Sequence, residues 1–331
     1  MKKAAQDWLV RQDQAWTSCT LEVLKAEASF RTFYRVRGHR VRGSKDAGNP
    51  TTAVLMISPP DKEQNDQFEK LADVFGSAGI PVPKVLTQDR KQGFYLLTDL
   101  GERELAESYG TDAETAGLTR ALEVLLDLQA VEDPAIPPYT AGRFRDELGI
   151  FEDWFVGRLL GLELPSSVAR PFAALVARTQ EQPQCAVHRD YHCRNLLYDP
   201  TTERFGVVDF QDALRGPVSY DLASLLHDCY HRFPEETVAH WRAWYLEHTP
   251  EALDPEVFHR DLDYAAIQRQ LKAVGIFSRL KLRDGKTTHL AHILPTLDQT
   301  RALLDRQGDL APLADWLGTL DPDFIEDKLQ L

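Results

Sequence analysis

The feature that most constrains the fold is a change of residue pattern near Gly101. Upstream of it, short apolar runs are separated by glycine and proline, as is typical of β-strands and turns. Residues 30–37 alternate, so that Tyr34 and Val36 share one side of a strand while a series of arginines shares the other. Residues 51–57 follow as a β-branched apolar run, and the two segments are predicted to pair as an antiparallel hairpin.

Downstream of Gly101 the pattern becomes helical. Only two short apolar runs there, residues 195–198 and 205–210, indicate strands. The sequence predicts an α+β chain with a β-rich part over residues 1–100, which also carries one helix, and a mainly helical part over residues 101–331. The helical patterns after the boundary cover most of residues 104–130, 143–181, 219–247 and 255–307.

Charge and composition narrow the choice of partners. The 51 acidic and 38 basic residues give a formal net charge of −13, which repels nucleic acid and anionic lipid. The N-terminal segment interrupts its apolar residues with charges, so we interpret it as a surface helix and not as a signal peptide or membrane span. The four cysteines show no disulfide framework and are expected to be reduced thiols. These features predict a cytoplasmic monomer that acts on a small molecule.

Residues 188–200, HRDYHCRNLLYDP, place many polar groups in one short loop. Asp190 is followed five residues later by Asn195, then by an apolar run, a turn and the sequence VVDF, which contains Asp209. A carboxylate at Asp190 can orient an attacking hydroxyl and accept its proton. Asn195 and Asp209 offer the hard oxygen ligands that Mg²⁺ prefers. This order of residues indicates phosphoryl transfer.

A zinc site is one alternative for the same segment, and a polar turn without chemistry is another. Cys185, His188, His192 and Cys193 have residue types and spacings that are compatible with tetrahedral zinc. However, His192 and Cys193 are adjacent, and adjacent side chains rarely reach one metal. A zinc site would also leave the two carboxylates and the asparagine of this region without a role.

A second HRD triplet, residues 259–261, serves as an internal control. The position five residues after Asp261 is Ala266, and no D-F strand follows. We therefore expect this triplet to lie on a helix surface with solvated charges.

The combination HRD-x4-N followed by a D-F element is the signature of the protein-kinase-like fold. The segments HRDYHCRNL, VVDFQDALRGPVSYDLASLLHDCY and IQRQLKAVGIFSRLKLRDGK resemble the bacterial anomeric N-acetylmuramate/N-acetylglucosamine kinases, in the aminoglycoside phosphotransferase branch of that fold. The resemblance extends to ASFRTFYRVRG and LLTDLG. It implies a bilobal α+β fold with a small β-rich N-lobe and a larger, mainly helical C-lobe. It also implies ATP- and Mg²⁺-dependent phosphorylation of the C1 hydroxyl of these sugars in cell-wall recycling.

The resemblance implies roles for individual residues. Asp190 matches the catalytic aspartate, and Asn195 and Asp209 match the magnesium ligands. Asp221 matches an aspartate that braces the catalytic loop by accepting its backbone N–H bonds. His192, two residues beyond Asp190, is expected near the transferred phosphoryl group.

The N-terminal part departs from ordinary kinases, because it lacks the Gly-rich loop and the third-strand lysine. Met56 stands at or near the lysine position. We expect Arg31 to replace the lysine, since a guanidinium fork suits phosphate oxygens. Ser29 is expected to supply a backbone N–H group, and Glu69 to orient Arg31. A non-catalytic pseudokinase is the alternative interpretation.

The remaining subsites are assigned by position. The backbone near Asp99 and Leu100, which links strand to helix, is expected to pair with adenine. An acidic side chain in the sugar pocket would bind hydroxyls, an aromatic ring would stack on the sugar, and an arginine would bind a lactyl carboxylate. Another small-molecule kinase of the same branch, acting on an aminoglycoside or a different amino sugar, stays open. The candidate sugar-binding residues are Asp212, Glu147, Trp154, Arg215 and Arg279.

Overall fold

The computed structural model describes residues 2–12, 16–17, 19–24, 30–39 and 50–330. The chain divides into two compact units. Unit 1 consists of Met1–Gly117 and Leu196–Gln211, and unit 2 consists of Leu118–Asn195 and Asp212–Leu331. The chain therefore leaves unit 2 after Asn195, contributes a short segment to unit 1, and then returns. The predicted domain boundary between residues 100 and 101 stays a prediction.

Unit 1 is built on an antiparallel sheet. In the described residues its strand order is β1-β2-β3-β5-β4. The predicted hairpin is confirmed, because β2 and β3 pair from Thr32 opposite Ile57 to His39 opposite Pro50. Two helices precede and interrupt the strands. The elements are α1 Lys2–Gln12, β1 Thr20–Val23, β2 Thr32–His39, β3 Pro50–Ile57, α2 Asn65–Ser77, β4 Val85–Asp89 and β5 Phe94–Thr98.

Alternation along the strands gives the sheet two apolar faces. On one face, Trp8 and Leu9 of α1 pack in a core with Tyr34 and Val36 of β2 and Phe94 of β5. The N-terminal segment is thus a helix as predicted, and its residues Ala5, Trp8 and Leu9 are buried against the sheet.

The opposite face of the sheet packs against α2. The ring of Phe68 in α2 lies 6.2 Å from that of Tyr95 and is stacked with that of Phe210 at 5.3 Å. Phe75 meets Phe210 edge to face at 6.1 Å. Phe210 comes from the short segment that the chain returns to unit 1, so this segment completes the core under α2.

That returning segment forms the hairpin of β7 Leu196–Asp199 and β8 Arg204–Val207, which confirms the two predicted strands. The backbone N–H of Val207 donates to the carbonyl of Pro81 at 2.9 Å. A Cβ atom at Gly206 would lie 2.8 Å from Cβ of Leu100, so only glycine lets Leu100 pack on the hairpin.

Unit 2 is mainly helical, as predicted. The division between the units falls inside α3, after Gly117. A π-helix, Phe151–Leu160, follows α4 directly. The longest helix, α8, begins where the Asp254 side chain accepts N–H bonds at 3.0 and 2.9 Å and ends at Gly285, which has a φ of 64°. The α-helices are α3 Glu114–Gln129, α4 Ala141–Ile150, α5 Ala169–Glu181, α6 Tyr220–Leu226, α7 Glu235–His248, α8 Pro255–Asp284, α9 Ile293–Leu304, α10 Ala311–Gly318 and α11 Pro322–Leu329.

Two strands of unit 2 contradict the prediction that only two strand segments follow Gly101. β6 Gln184–Val187 pairs antiparallel with β9 Leu214–Pro217. Each strand has four residues, and β9 contains glycine and proline, so local propensity is weak. Tertiary bonds fix β9 instead, since Arg215 exchanges backbone bonds of 2.7 and 2.8 Å with Tyr139 and Pro137.

The second HRD triplet lies on α8, but the expectation of solvated charges is wrong for Asp261. This residue is buried, and its carboxylate accepts a bond of 2.5 Å from Nε of Arg178. Burial raises the pKa of Asp261, although the charge of Arg178 lowers it. The sequence pattern of α8 could not predict this contact, because the partner of Asp261, Arg178, lies 83 residues upstream on another helix.

A helix crossing fixes the position of α8. A Cβ atom at Gly275 would lie 2.6 Å from the backbone N of Phe151 and 2.7 Å from the carbonyl group of Ile150. The backbones of α8 and of the α4–π-helix junction therefore approach so closely that only glycine fits.

We expect Gly275→Ala to lower the free energy of unfolding by about 2 kcal/mol or more, because backbone atoms cannot move aside for the methyl group. Gly149→Ala in α4 is the matched control, since a Cβ atom there meets nothing within 4 Å. It is expected to be neutral or stabilising by up to about 1 kcal/mol. Urea denaturation measures both, and equal stabilities of the two variants would contradict the close crossing.

Candidate functional site

The loop that carries Asp190 lies in unit 2, directly after β6, and is held by one buried carboxylate. Asp221 on α6 accepts the backbone N–H groups of His188 at 2.5 Å and Arg189 at 3.0 Å. The predicted bracing role of Asp221 is thereby confirmed. Burial raises the pKa of Asp221 to about 7, although these two hydrogen bonds lower it.

Arg189 has a left-handed backbone, with a φ of 79°. This conformation is unfavourable for a residue with a Cβ atom and needs support from its surroundings. The side chain supplies further support: its guanidinium donates to Glu147 at 2.5 Å and to the backbone carbonyl of Asp212 at 3.3 Å, and lies 5.3 Å from the ring centre of Tyr139.

Glu147 is the centre of a buried ion cluster. Its carboxylate accepts hydrogen bonds from Arg189, from the hydroxyl of Tyr139 and, at 3.2 Å, from Gln268. Nζ of Lys272 lies 3.7 Å away. Burial alone would raise the pKa of Glu147, but the charges of Lys272 and Arg189 lower it overall. Glu147 is therefore ionised within the protein, and its observed contacts are with protein groups.

The carboxylate of Asp190 is partly open to solvent and faces two cations of α8. Its side chain is 38% exposed, and its Oδ1 lies 3.7 Å from Arg269 and 4.0 Å from Lys272. Burial of the group raises its pKa, but the charges of Lys272 and then Arg269 outweigh this effect and lower the pKa of Asp190. Asp190 is therefore a carboxylate at any physiological pH.

Lys272 touches both carboxylates of this region. It is buried, and in the part of the chain that the structure describes its Nζ has ion-pair distances to Glu147 and Asp190 but no hydrogen-bond partner. An ammonium group has three donors. The group is thus a charge fixed between two anions, with donor capacity left for a further oxygen.

The second half of the loop is ordered by side-chain contacts to its backbone. Asn195 donates from Nδ2 to the carbonyl of Asp190 at 3.0 Å, which directs its amide oxygen away from that carbonyl. Its Nδ2 lies 3.5 Å from Nε2 of His192. The backbone N–H of Cys193 donates to the buried carboxylate of Asp228 at 3.0 Å. Two aspartates, Asp221 and Asp228, therefore hold the two halves of the loop.

Asp209 lies in unit 1, after β8. Its φ is 65°, so it also has a left-handed backbone, and its side chain is exposed. Its Oδ1 accepts a bond of 2.6 Å from Nε2 of Gln211. An exposed carboxylate and the amide oxygen of Asn195 are oxygen donors of the kind that suits Mg²⁺. The residues present fit the predicted ion in their chemistry.

Arg31 is buried within unit 1, and not solvated. Its Nε donates to the hydroxyl of Ser58 at 3.2 Å and lies 3.6 Å from Glu63, and its guanidinium is 5.5 Å from the ring centre of Phe68. Ser58 in turn donates to Asn65, at the start of α2, at 2.5 Å. The predicted contribution of Ser29 lies outside the described residues.

Glu69 belongs to a different group of contacts. Its carboxylate accepts hydrogen bonds from Tyr95 at 2.9 Å, from Gln88 at 3.1 Å and from Arg90. The carboxylate beside Arg31 is that of Glu63 instead. Met56 lies in the buried core of the sheet, so the strand position expected for a lysine is apolar here.

The segment after β5 is tied to β2 by an arginine. Arg35 donates to both carboxylate oxygens of Asp99, at 2.9 and 3.2 Å, and to the carbonyl of Gly101 at 2.5 Å. The N–H of Gly101 donates back to Asp99 at 3.1 Å. The side chain of Asp99 therefore fixes the shape of this segment, while the side chain of Leu100 packs on Gly206.

The structure brings together only some of the predicted sugar-binding residues. Asp212 meets Arg189 through its backbone carbonyl, near Glu147. Trp154 stacks with its own neighbour Arg158 at 4.2 Å, and Arg215 on β9 lies 3.6 Å from Glu132 at the surface. Arg279 follows Phe277 on α8, and burial lowers its pKa. Sugar binding by these residues stays a prediction.

The zinc alternative gains no support from the geometry. Within residues 2–330, wherever the structure describes them, no group of three or more His, Cys, Asp or Glu side chains is arranged to hold a metal. Burial raises the pKa values of the Cys185 and Cys193 thiols.

Sequence reasoning missed several residues around Asp190. Lys272, Arg269 and Gln268 lie on α8, about 80 residues downstream of the loop, and Asp228 follows α6. A signal for the α8 residues was present in the sequence. Gln268, Arg269 and Lys272 are polar or charged, lie within one helical turn of each other and interrupt an otherwise apolar helical pattern, which indicates a polar site on a buried helix face.

Comparison with known proteins identifies relatives that are phosphotransferases. The model of the phosphotransferase enzyme family matches residues 20–262. A protein from Pseudomonas putida named N-acetylmuramate/N-acetylglucosamine kinase is 33% identical over 322 residues, covering 93% of this chain and 91% of the relative. A protein of the same name from Pseudomonas aeruginosa is 34% identical over 305 residues, covering 89% and 87%.

Among solved structures, a choline/ethanolamine kinase family protein from Mesorhizobium loti superposes with a TM-score of 0.63 at 14% identity, covering 95% of this chain and 99% of that one. The predicted protein-kinase-like α+β fold is thereby confirmed. In the described residues, no helix is long and apolar enough to cross a membrane.

The chain therefore belongs to the phosphotransferase enzyme family. Within that family it groups with the N-acetylmuramate/N-acetylglucosamine kinases, and it is a sugar kinase. The alternative of a non-catalytic pseudokinase is not supported.

The contacts of Lys272 predict how Asp190 titrates. We expect Lys272→Met to raise the pKa of Asp190, because removal of a cation 4.0 Å from Oδ1 removes its stabilisation of the carboxylate. Lys272→Arg, which keeps the charge, should restore most of the shift. A ¹³C NMR titration of the Asp190 carboxyl carbon, assigned by its loss in Asp190→Asn, measures this. An unchanged midpoint in folded Lys272→Met would show that Lys272 does not act on Asp190.

Proposed function

We propose that the protein transfers the γ-phosphoryl group of ATP to the C1 hydroxyl of N-acetylmuramate and N-acetylglucosamine, giving the sugar 1-phosphates for cell-wall recycling in the cytoplasm. The observation that carries this proposal is the partly exposed carboxylate of Asp190, on a loop braced by Asp221 and faced by Arg269 and Lys272. The names of the relatives supply the choice of sugars.

Asp190 acts mainly by orienting the acceptor hydroxyl. Because Lys272 and Arg269 lower its pKa, it is a weak proton acceptor in the ground state. In a loose phosphoryl-transfer transition state the hydroxyl proton is removed late, so orientation contributes more than base strength. The anomeric hydroxyl is also the most acidic hydroxyl of a reducing sugar, which suits a weak base.

Asn195 and Asp209 would hold Mg²⁺ through their side-chain oxygens, and the ion would supply positive charge to neutralise the donor phosphates. Asn195 is suited to this role because its Nδ2 is engaged with the Asp190 carbonyl. Gln211 holds one oxygen of Asp209, in place of the glycine usual in this loop. His192 lies within the same braced loop and is proposed to contact the transferred group.

Arg31 is proposed to replace the absent lysine in binding donor phosphate. Ser58 and Glu63 hold its guanidinium in unit 1, as a carboxylate from the helix holds the lysine in ordinary kinases. Asp99 and Leu100 are proposed to present their backbone to adenine, on a segment shaped by Arg35.

The product tests the position of transfer. We expect the wild-type enzyme with ATP and Mg²⁺ to convert both sugars to monophosphates that no longer react as reducing sugars, because a C1 phosphate blocks the reducing end. A ³¹P NMR spectrum identifies the product. Asp190→Asn should lower turnover by about a hundredfold or more.

Asp261→Ala is the matched control for that substitution. Loss of its bond to Arg178 is expected to lower thermal stability but to leave the turnover of folded protein near the wild-type value.

Phosphorylated products that remain reducing would exclude C1 transfer. Asp190→Asn within about threefold of wild type would remove Asp190 from the mechanism.

Arg31→Ala should raise the KM for ATP about tenfold or more and lower kcat, with much less change in the KM for sugar, because it removes a charge-assisted contact to phosphate. Arg31→Lys should recover part of the loss. Arg37→Ala controls for general loss of positive charge, since Arg37 is exposed and pairs with Glu22 and Glu102. Unchanged ATP kinetics in folded Arg31→Ala would exclude the replacement.

A further inference from the structure

A cluster of aromatic and basic side chains continues from the loop of Asp190 within unit 2. The ring of His192 meets Tyr230 edge to face at 5.2 Å, and Tyr230 meets His292 in the same way at 5.1 Å. Phe277 of α8 lies 5.9 Å from Tyr230 and stacks on His289 at 5.2 Å. We call these five rings the aromatic platform. Tyr230, His289 and His292 are partly exposed, so the platform has an open side.

The guanidinium of Arg194 lies on this platform. The guanidinium carbon of Arg194 is 3.7 Å from the ring centre of Tyr230, and its Nη2 is 3.5 Å from Nε2 of His292. Arg194 is partly exposed. Stacking on an aromatic face holds the planar fork in place while its edge donors stay available, which is how arginine binds carboxylates.

The charges around Arg194 favour an anion. Asp228, two residues before Tyr230, is already engaged by the backbone, because its two oxygens accept the N–H groups of Cys193 at 3.0 Å and Tyr230 at 2.8 Å. Burial, with the charge of Arg194, lowers the pKa of His292. Arg194, partly exposed on the ring of Tyr230, is a fixed cation at the open side of the platform.

A second observation points to a ligand at the same place. His192 is 9% exposed, and in the described residues its Nδ1 is buried without a hydrogen-bond partner. A buried imidazole nitrogen of this kind is costly unless something binds it. His192 lies two residues after Asp190 and two before Arg194, so all three residues belong to the same short loop.

We propose that the aromatic platform is the acceptor-sugar subsite and that Arg194 binds the lactyl carboxylate of N-acetylmuramate. This inference rests on the proposed function. With the C1 hydroxyl at Asp190, the sugar ring stacks on the platform, His192 Nδ1 hydrogen-bonds a polar group of the sugar, and the substituent on O3 extends toward Arg194. N-acetylglucosamine, which has a free hydroxyl at C3, uses the platform but not the arginine. Arg194 therefore determines the preference between the two sugars, a role that the sequence had assigned to Arg215 or Arg279.

The test compares charge removal on the protein with charge removal on the sugar. The substrates are N-acetylmuramate, its neutral methyl ester and N-acetylglucosamine. For Arg194→Met, which keeps an apolar side chain on Tyr230, we expect kcat/KM for N-acetylmuramate relative to N-acetylglucosamine to fall about tenfold, or about 1.4 kcal/mol. Wild type should prefer N-acetylmuramate to its methyl ester by a similar factor, and Arg194→Met should lose that preference. Arg194→Lys should keep part of it.

Arg232→Met is the matched control, because Arg232 is an exposed arginine two residues from Tyr230 and outside the platform. It should leave the ratio between the sugars unchanged. A ratio that is also unchanged in Arg194→Met, with both sugars still phosphorylated, would overturn the role of Arg194 while leaving the proposed function intact. Equal loss for both sugars would overturn it too, because Arg194 would then act on the catalytic loop. If wild type phosphorylates neither sugar, the proposed function fails, and this inference fails with it.

Discussion

The arrangement of the catalytic loop depends on one buried carboxylate. Asp221 accepts the N–H groups of His188 and Arg189, and Arg189 has a left-handed backbone that costs about 1–3 kcal/mol if unsupported. This turn sends the Arg189 side chain inward to Glu147 and leaves the next residue, Asp190, partly exposed. A carboxylate is suited to the task because its two oxygens can accept both amides at once. The opposite directions of the Arg189 and Asp190 side chains follow from this turn, while Asp228 holds the second half of the loop.

The ion cluster beneath the loop places cations and carboxylates in direct contact. Arg189 pairs with Glu147, Lys272 lies between Glu147 and Asp190, and Arg269 faces Asp190. Such buried pairs add little net stability, because desolvation offsets their attraction. Their effect is electrostatic and local: the fixed charges of Lys272 and Arg269 stabilise the ionised form of Asp190 and are already in place without any reorganisation.

Local sequence patterns predicted the elements that depend on local order. The hairpin of β2 and β3, the strands on either side of the turn before Asp209, and the bracing by Asp221 were all accessible from spacing or from family resemblance. Contacts between segments that are distant in the sequence could not be predicted in this way. Glu147 was assigned to the sugar pocket from its position alone, and no local pattern indicated that α8 brings Lys272 and Gln268 against it from more than 100 residues away. Asp261 was expected in solvent, but α5 supplies Arg178. Strands β6 and β9 were missed, because their pairing is fixed by tertiary bonds and not by residue propensity.

The segment Leu196–Gln211 has a consequence for how the chain folds during synthesis. It belongs to unit 1, although 78 residues of unit 2, Leu118–Asn195, precede it in the chain. Phe210 fills the space between Phe68 and Phe75, and Val207 satisfies the carbonyl of Pro81. The first 117 residues alone would expose this apolar surface to water. The N-terminal unit can therefore complete its core only after the ribosome has released residue 211. During that interval the α2 face of the sheet is an open hydrophobic surface, of the kind that makes a partly folded chain prone to aggregation.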